Sequence, residues 1–234
     1  MAQLAPMPPI AIDPADLVAI GKTWTDHTKP LGQASAAKLA KLFDTAVGRS
    51  LAVMLGGIPI VRPNRNALIP PQPDCVEVGE FRVIGGVRPQ NFDVGYRPDG
   101  VRFAFDSKTL NGGGSIGRNW QNMVNDLATE ATTVHSRFPH AVVAFIVVYP
   151  KPAASPNQLS AAIETLERLA RRAEVDGPLY MAEAIALALW DPRDGSIDPS
   201  SPDQSSPLHL ERFSQQVQDS YASRYKGLPP HAAS

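Results

Sequence analysis

The stretch Asn91-Phe92-Asp93-Val94-Gly95-Tyr96-Arg97-Pro98-Asp99-Gly100-Val101-Arg102-Phe103-Ala104-Phe105-Asp106-Ser107-Lys108 holds two β-rich runs around a turn. Pro98-Asp99-Gly100 supplies residues that favour a tight reversal, so the segment predicts an antiparallel hairpin. A two- or four-residue loop centred on Pro98-Asp99 pairs Tyr96 with Val101, Val94 with Phe103 and Phe92 with Phe105. These six side chains then share one face, because alternate residues of a strand point to the same side. The other face receives Asp93, Gly95, Arg102, Ala104, Asp106 and Lys108. In this register Asp93 lies opposite Ala104, and Asp106 is its diagonal neighbour, within reach of a shared ion. A one-residue slip would scatter both sets, so the alternation itself specifies the register.

Working outward, a third strand-like run at 76–84 precedes the runs at 91–97 and 101–107. Leu39, Leu42, Phe43, Ala46 and Val47 recur at helical spacing within Ala34–Leu55, and Gly56-Gly57 supplies a stop. The five prolines of 59–73 predict an ordered loop. After the hairpin, Gly112-Gly113-Gly114 leads into a helix over 118–136. Ala141–Tyr149 is a continuous apolar run, predicted as a strand covered on both faces. A second amphipathic helix is predicted over 158–173, and Leu179–Trp190 is a buried run, strand or helix. Asp-Pro, Asp-Gly and Ser-Pro steps make 191–207 a flexible linker before a last helix at 209–225. The order suggests an α/β or α+β sandwich. It divides into an N-terminal arm (1–33, proline-rich at its start), a core domain (34–192), and a linker with C-terminal helix (193–234).

The chain has 234 residues, 43% hydrophobic and 19% charged, with a formal net charge of -1. That composition can bury a substantial core and excludes wholesale disorder. Near-neutral charge excludes a bulk polycation, so any nucleic-acid binding must come from a local basic surface. The single cysteine, Cys75, cannot form an intramolecular disulfide, which favours a reducing compartment and a cytoplasmic location. No apolar run is long enough to cross a bilayer, and no membrane partner is expected. His27, His135, His140, His209 and His231 show no close ligand spacing, which argues against zinc.

Two carboxylates on one strand face repel unless a cation intervenes or one takes a proton. Oxygen-only ligands select hard cations such as Mg²⁺ or Mn²⁺. Such an ion binds a phosphate oxygen, and a nearby lysine orients the attacking water or helps deprotonate it. Asp93, Asp106 and Lys108 therefore suit phosphodiester hydrolysis, with Asp93 and Asp106 as the metal ligands. Asp106-Ser107-Lys108 is the only acid-x-lysine step in the chain.

At these residues the chain resembles the PD-(D/E)XK nuclease superfamily, which includes the type II restriction endonucleases. The superfamily core is a helix, a three-stranded antiparallel meander, a helix and a further strand, the order read here from about 34 to 149. The resemblance implies a restriction-endonuclease-like α/β fold, a mixed central sheet with the meander flanked by helices. Asp93 would be the first acid, Asp106 the second and Lys108 the lysine, with Phe92 where the family often has proline. It also implies Mg²⁺-dependent cleavage of double-stranded DNA, with Mn²⁺ able to substitute, leaving 5'-phosphate ends. Many such nucleases carry another acid upstream. Glu77 and Glu80 are candidates, of which Glu80 is favoured; the family can instead use the preceding helix, where Asp44 is available. Cutting both strands calls for two sites, hence a homodimer.

The glycine-rich loop supports a backbone approach to a polyanion at a helix N-terminus. Arg118, Asn119, Gln121 and Asn122 then open the helix with donors for phosphates and base edges, and Arg88, Gln90 and Asn91 add a second such group. Between residues 62 and 118 there are eight Arg or Lys and six Asp or Glu. Residues 113–117 also match the G-x-S-x-G elbow of serine hydrolases. That alternative makes Ser115 the nucleophile, His209 the base and Asp191 or Asp194 the orienting acid. A second alternative is a DNA-binding module whose nuclease core is inactive.

Overall fold

The computed structural model describes residues 3–27, 29–64, 66–110, 116–153 and 155–232, the side chains of 116–119 and 153 excepted. Among these residues five α-helices and six strands follow one another as α1 (Pro14–Gly21), α2 (Gln33–Met54), β1 (Ile60–Val61), β2 (Val76–Ile84), β3 (Pro89–Tyr96), β4 (Phe103–Thr109), α3 (Ile116–His135), β5 (Val142–Pro150), α4 (Pro156–Leu169), β6 (Ala184–Trp190) and α5 (Leu210–Tyr225). The strands form one mixed sheet in sequence order. β2, β3 and β4 are an antiparallel meander, while β1 joins β2, β5 joins β4 and β6 joins β5 in parallel. The fold is α/β, with the meander and its helical flanks as the sequence predicts.

Helices cover both faces of the sheet. Val142, Ala144, Ile146 and Val148 of β5 join a core with α1, α2 and α5. The alternate residues Val143, Phe145, Val147 and Tyr149 join a second core with α3 and α4. All nine residues of β5 are buried, which explains its unbroken apolar run. The 179–190 run resolves into β6 from Ala184 onward, preceded by irregular chain.

Three local expectations are corrected. The arm contains a short helix, α1, whose N-terminus is capped by the Asp13 carboxylate accepting from the Ala15 N–H at 2.8 Å. The proline-rich loop contributes β1. The 191–207 segment is tied along the free edge of β6: Trp190 bridges Ile197, the Asp198 N–H donates to Leu189 O, and the Leu187 N–H donates to Leu208 O. Covering an edge in this way removes a row of unpaired backbone groups.

The hairpin register also differs. Tyr96 pairs with Phe103, Gly95 with Ala104 and Val94 with Phe105, two residues from the expected pairing. A shift of two preserves the alternation, so Val94, Tyr96, Phe103 and Phe105 keep their common face, whereas Phe92 and Val101 do not. The cause is the loop, which runs from Arg97 to Arg102 because the Arg102 guanidinium turns back onto the Asp99 carboxylate, with Nε to Oδ1 at 2.7 Å. Val101 therefore leaves the strand and packs in the second core, and Phe92 packs there too, against Phe81. The ladder between β2 and β3 slips by one residue between Val78 and Phe81, which redirects the far half of β3.

Candidate active site

Pairing between β3 and β4 stops at Val94 and Phe105, although both strands continue. Beyond that pair β3 follows β2 and β4 follows β5, so the sheet forks. One more step of the register sets Asp93 opposite Asp106 at the mouth of the fork. The two carboxyls lie close enough for Asp106 to raise the proton affinity of Asp93. They are thus direct partners, closer than the diagonal relation read from the sequence.

Two carboxylates held this close repel unless one takes a proton or a cation intervenes. Burial, reinforced by the neighbouring Asp106, pushes Asp93 up to about 7. The step in the β2 ladder faces Asp93 with Gly79 and Glu80. Glu80 is exposed, yet close enough to raise Asp93 further, so it stands at the rim. Glu77 is excluded from the site. Its buried carboxylate is held by Arg97 in a two-pronged ion pair at 2.6 and 2.7 Å.

The third acid of the cluster is Asp44, from α2. It accepts from Ser107 Oγ at 2.7 Å, on the face of β4 opposite Asp106. Burial and the Asp93 charge raise it to about 8, partly offset by the Ser107 hydrogen bond. The fork lets an acid from the α2 side sense acids on the α3 side. Of the three upstream candidates, Asp44 is the buried one that reaches the pair electrostatically.

Lys108 lies two residues beyond Asp106, on the same face. Its ammonium donates to the Asp106 carboxylate and, at 2.8 Å, to Glu130 Oε1 on α3. Burial alone would depress the ammonium, but Asp106 and Glu130 outweigh it and hold Lys108 above the ordinary lysine range. Glu130 is itself pushed up to about 7, by burial first and then by Asp106, with Lys108 opposing. Sequence reading missed Glu130. Its signal was an acid at the spacing of Leu127, Ala131 and Val134, the buried stripe of α3.

No family model matches this chain, and neither a curated protein nor a solved structure matches it. Among the described residues no group of three or more His, Cys, Asp or Glu is gathered tightly enough to cage a metal ion. The pair Asp93 and Asp106 still fits the Mg²⁺ mode, in which one or two carboxylates suffice and waters complete the octahedron. The raised proton affinity of Asp93 marks a place where a cation would relieve the same repulsion.

The proposed DNA contacts fall in three groups. Arg88 and Asn91 are exposed on the β2–β3 turn and the start of β3, and Gln121 and Asn122 are exposed on α3. Asn122 also lines an open cleft of about 340 Å³ with Ser107 and Lys108. Gln90 is turned inward instead, donating to Glu130 Oε1 at 3.0 Å. The side chains of Arg118 and Asn119, like the whole of 111–115 and Arg65, lie outside the described residues. Two arginines counted toward a basic surface are committed internally: Arg97 to Glu77, and Arg102 to Asp99.

Ser115 falls in that same undescribed segment. Its proposed partners do not assemble among the described residues: His209 Nε2 bonds the Pro199 carbonyl at 3.1 Å, and Asp191 is held by Arg193 at 2.6 Å. Among the described residues no helix is long and apolar enough to cross a membrane.

Proposed function

We propose that this protein is a Mg²⁺-dependent endonuclease acting on double-stranded DNA, of the type II restriction kind and related to the PD-(D/E)XK superfamily. One observation carries the reading: two acids meet at a fork in the sheet, with a lysine anchored beside the second of them. The run α2, β2–β3–β4, α3, β5 has the order of that superfamily's core, which supports it. Asp93 and Asp106 would hold Mg²⁺, or Mn²⁺ in its place. When bound, the ion supplies a Lewis acid for a phosphate oxygen and lowers the pKa of a coordinated water.

The chain's own groups take the remaining roles. Lys108, an ammonium at neutral pH, meets the negative charge that grows on the phosphate in the transition state and orients the attacking water. Its raised proton affinity makes it a donor rather than a base. Asp44 holds Ser107, and so steadies the strand between Asp106 and Lys108. The exposed polar groups Arg88, Asn91, Gln121 and Asn122, the last on the wall of the cleft, would contact backbone and base edges. A homodimer would bring two such sites to the two strands of a duplex.

The test is incubation of the purified protein with supercoiled plasmid and phage DNA in Mg²⁺. Discrete bands are expected. Asp106→Ala should lose cleavage by at least about 10³-fold while still shifting DNA in a gel, since it removes a ligand and leaves the contacts. Wild-type protein that shifts DNA but cleaves none with Mg²⁺ or Mn²⁺ would overturn the reading in favour of a binding module.

A further inference from the structure

Glu130 is 3% exposed on a face of α3 otherwise given to Leu127, Ala131 and Val134. A carboxylate is costly to bury unless paired and hydrogen-bonded. Glu130 concentrates its partners on one oxygen: Oε1 accepts from Lys108 Nζ at 2.8 Å and from Gln90 Nε2 at 3.0 Å. The other, Oε2, is buried without a hydrogen-bond partner. An acid kept here at that cost points to a role toward Lys108.

Lys108 needs such a partner. Its ammonium sits between two acceptors, Asp106 Oδ2 and Glu130 Oε1. A lysine is a compact charge on a freely rotating four-carbon stem. With Asp106 as its sole acceptor, the ammonium would compete for the carboxylate that the proposed nuclease gives to its metal. We infer that Glu130, oriented by Gln90, is a positioning residue that holds the Lys108 ammonium and leaves Asp106 available to a divalent ion. The inference rests on the nuclease reading and adds to it two residues, on α3 and β3, that lie outside the acid-acid-lysine pattern.

The experiment measures Mn²⁺ binding to the DNA-free protein by calorimetry, alongside steady-state plasmid cleavage, for wild type, Glu130→Gln and Gln90→Leu. Partners of metal-site groups typically change metal affinity or activity by about 10–100-fold when mutated. Glu130→Gln is expected to weaken Mn²⁺ binding and lower kcat by factors in about that range, with KM for DNA held within about twofold. Gln90→Leu is expected to move the same two quantities by about 3–10-fold, since it removes only the orienting bond. A purely structural role would lower Tm and leave Mn²⁺ affinity and kcat intact below it. That result overturns the inference while wild-type cleavage keeps the nuclease reading. If Glu130→Gln does not fold, Gln90→Leu decides by the same measurements. Wild-type protein that neither binds Mn²⁺ nor cleaves DNA overturns the nuclease reading, and the inference with it.

Discussion

Asp44, Asp93 and Glu130 each bind a proton more tightly in the folded chain than in a solvated one, at about 8, 7 and 7. For an acid whose folded pKa is raised, the folded state holds more protons than the unfolded state between the two values. Its stabilising share is therefore complete below about pH 4 and is lost as pH climbs toward 8. With a chelator present, the site should make the protein progressively less stable over that window. Asp44→Asn keeps an acceptor for Ser107 and removes the charge, so it should raise stability at pH 8 by about 1 kcal/mol or more and change little at pH 4. Urea denaturation at the two pH values measures this. The proposed Mg²⁺ would bind the ionised form, so adding it should raise Tm more at pH 8 than at pH 5. Asp93→Asn should erase most of that Mg²⁺-dependent rise in a thermal melt.

Among the elements, β2 and β3 owe their shape to the slip opposite Asp93. Gly79 stands there with φ +128, a conformation that L side chains rarely adopt. Gly79→Ala is expected to cost about 1–2 kcal/mol and to reduce cleavage, because the strain can relax only by moving the strand that aims Asp93. Chemical denaturation and plasmid cleavage together separate the two effects. Elsewhere Glu183, just before β6, ties α3, β5, α5 and the connection after α4 together: it accepts from Arg224 at 2.8 Å, Arg172 at 3.1 Å and the Val143 N–H at 2.7 Å, and contacts His135 Nε2 at 3.2 Å. Burial alone would raise its carboxyl, but His135, Arg224 and Val143 hold it below the ordinary range. Glu183→Ala leaves two buried guanidinium groups without their carboxylate and should destabilise by about 3–5 kcal/mol in urea.

Across the whole molecule, both chain ends close onto the core. Met7 is buried, its N–H donates to Gln218 Oε1 at 2.7 Å, and Ser214 Oγ donates to Pro8 O at 2.7 Å, so the arm clasps α5. At the other end His231 is buried against Tyr221, with Nε2 at 2.7 Å from the hydroxyl. Deleting residues 1–12 would expose that face of α5 and remove Met7 from the core. A loss of about 2–5 kcal/mol is expected, read as a lower midpoint in a single cooperative transition.

Much of this architecture was legible along the chain, because the information was local. Alternation fixed which face of β4 carries Asp106 and Lys108, the unbroken Ala141–Tyr149 run marked a strand buried on both sides, and helical spacing located α2. The dyad of Asp93 and Asp106, with Lys108 beside it, was readable for the same reason: a side-chain period of two survives a register shift of two. What depended on distant contacts was not legible. The true pairing followed from Arg102 folding back on Asp99, and the fork from β3 and β4 choosing different neighbours. Asp44 entered the cluster because α2 packs beneath that fork, and Glu130 with Gln90 because α3 crosses above it. Spacing along a strand orders side chains on one element, whereas a site built from α2, β3, β4 and α3 exists only once those elements pack.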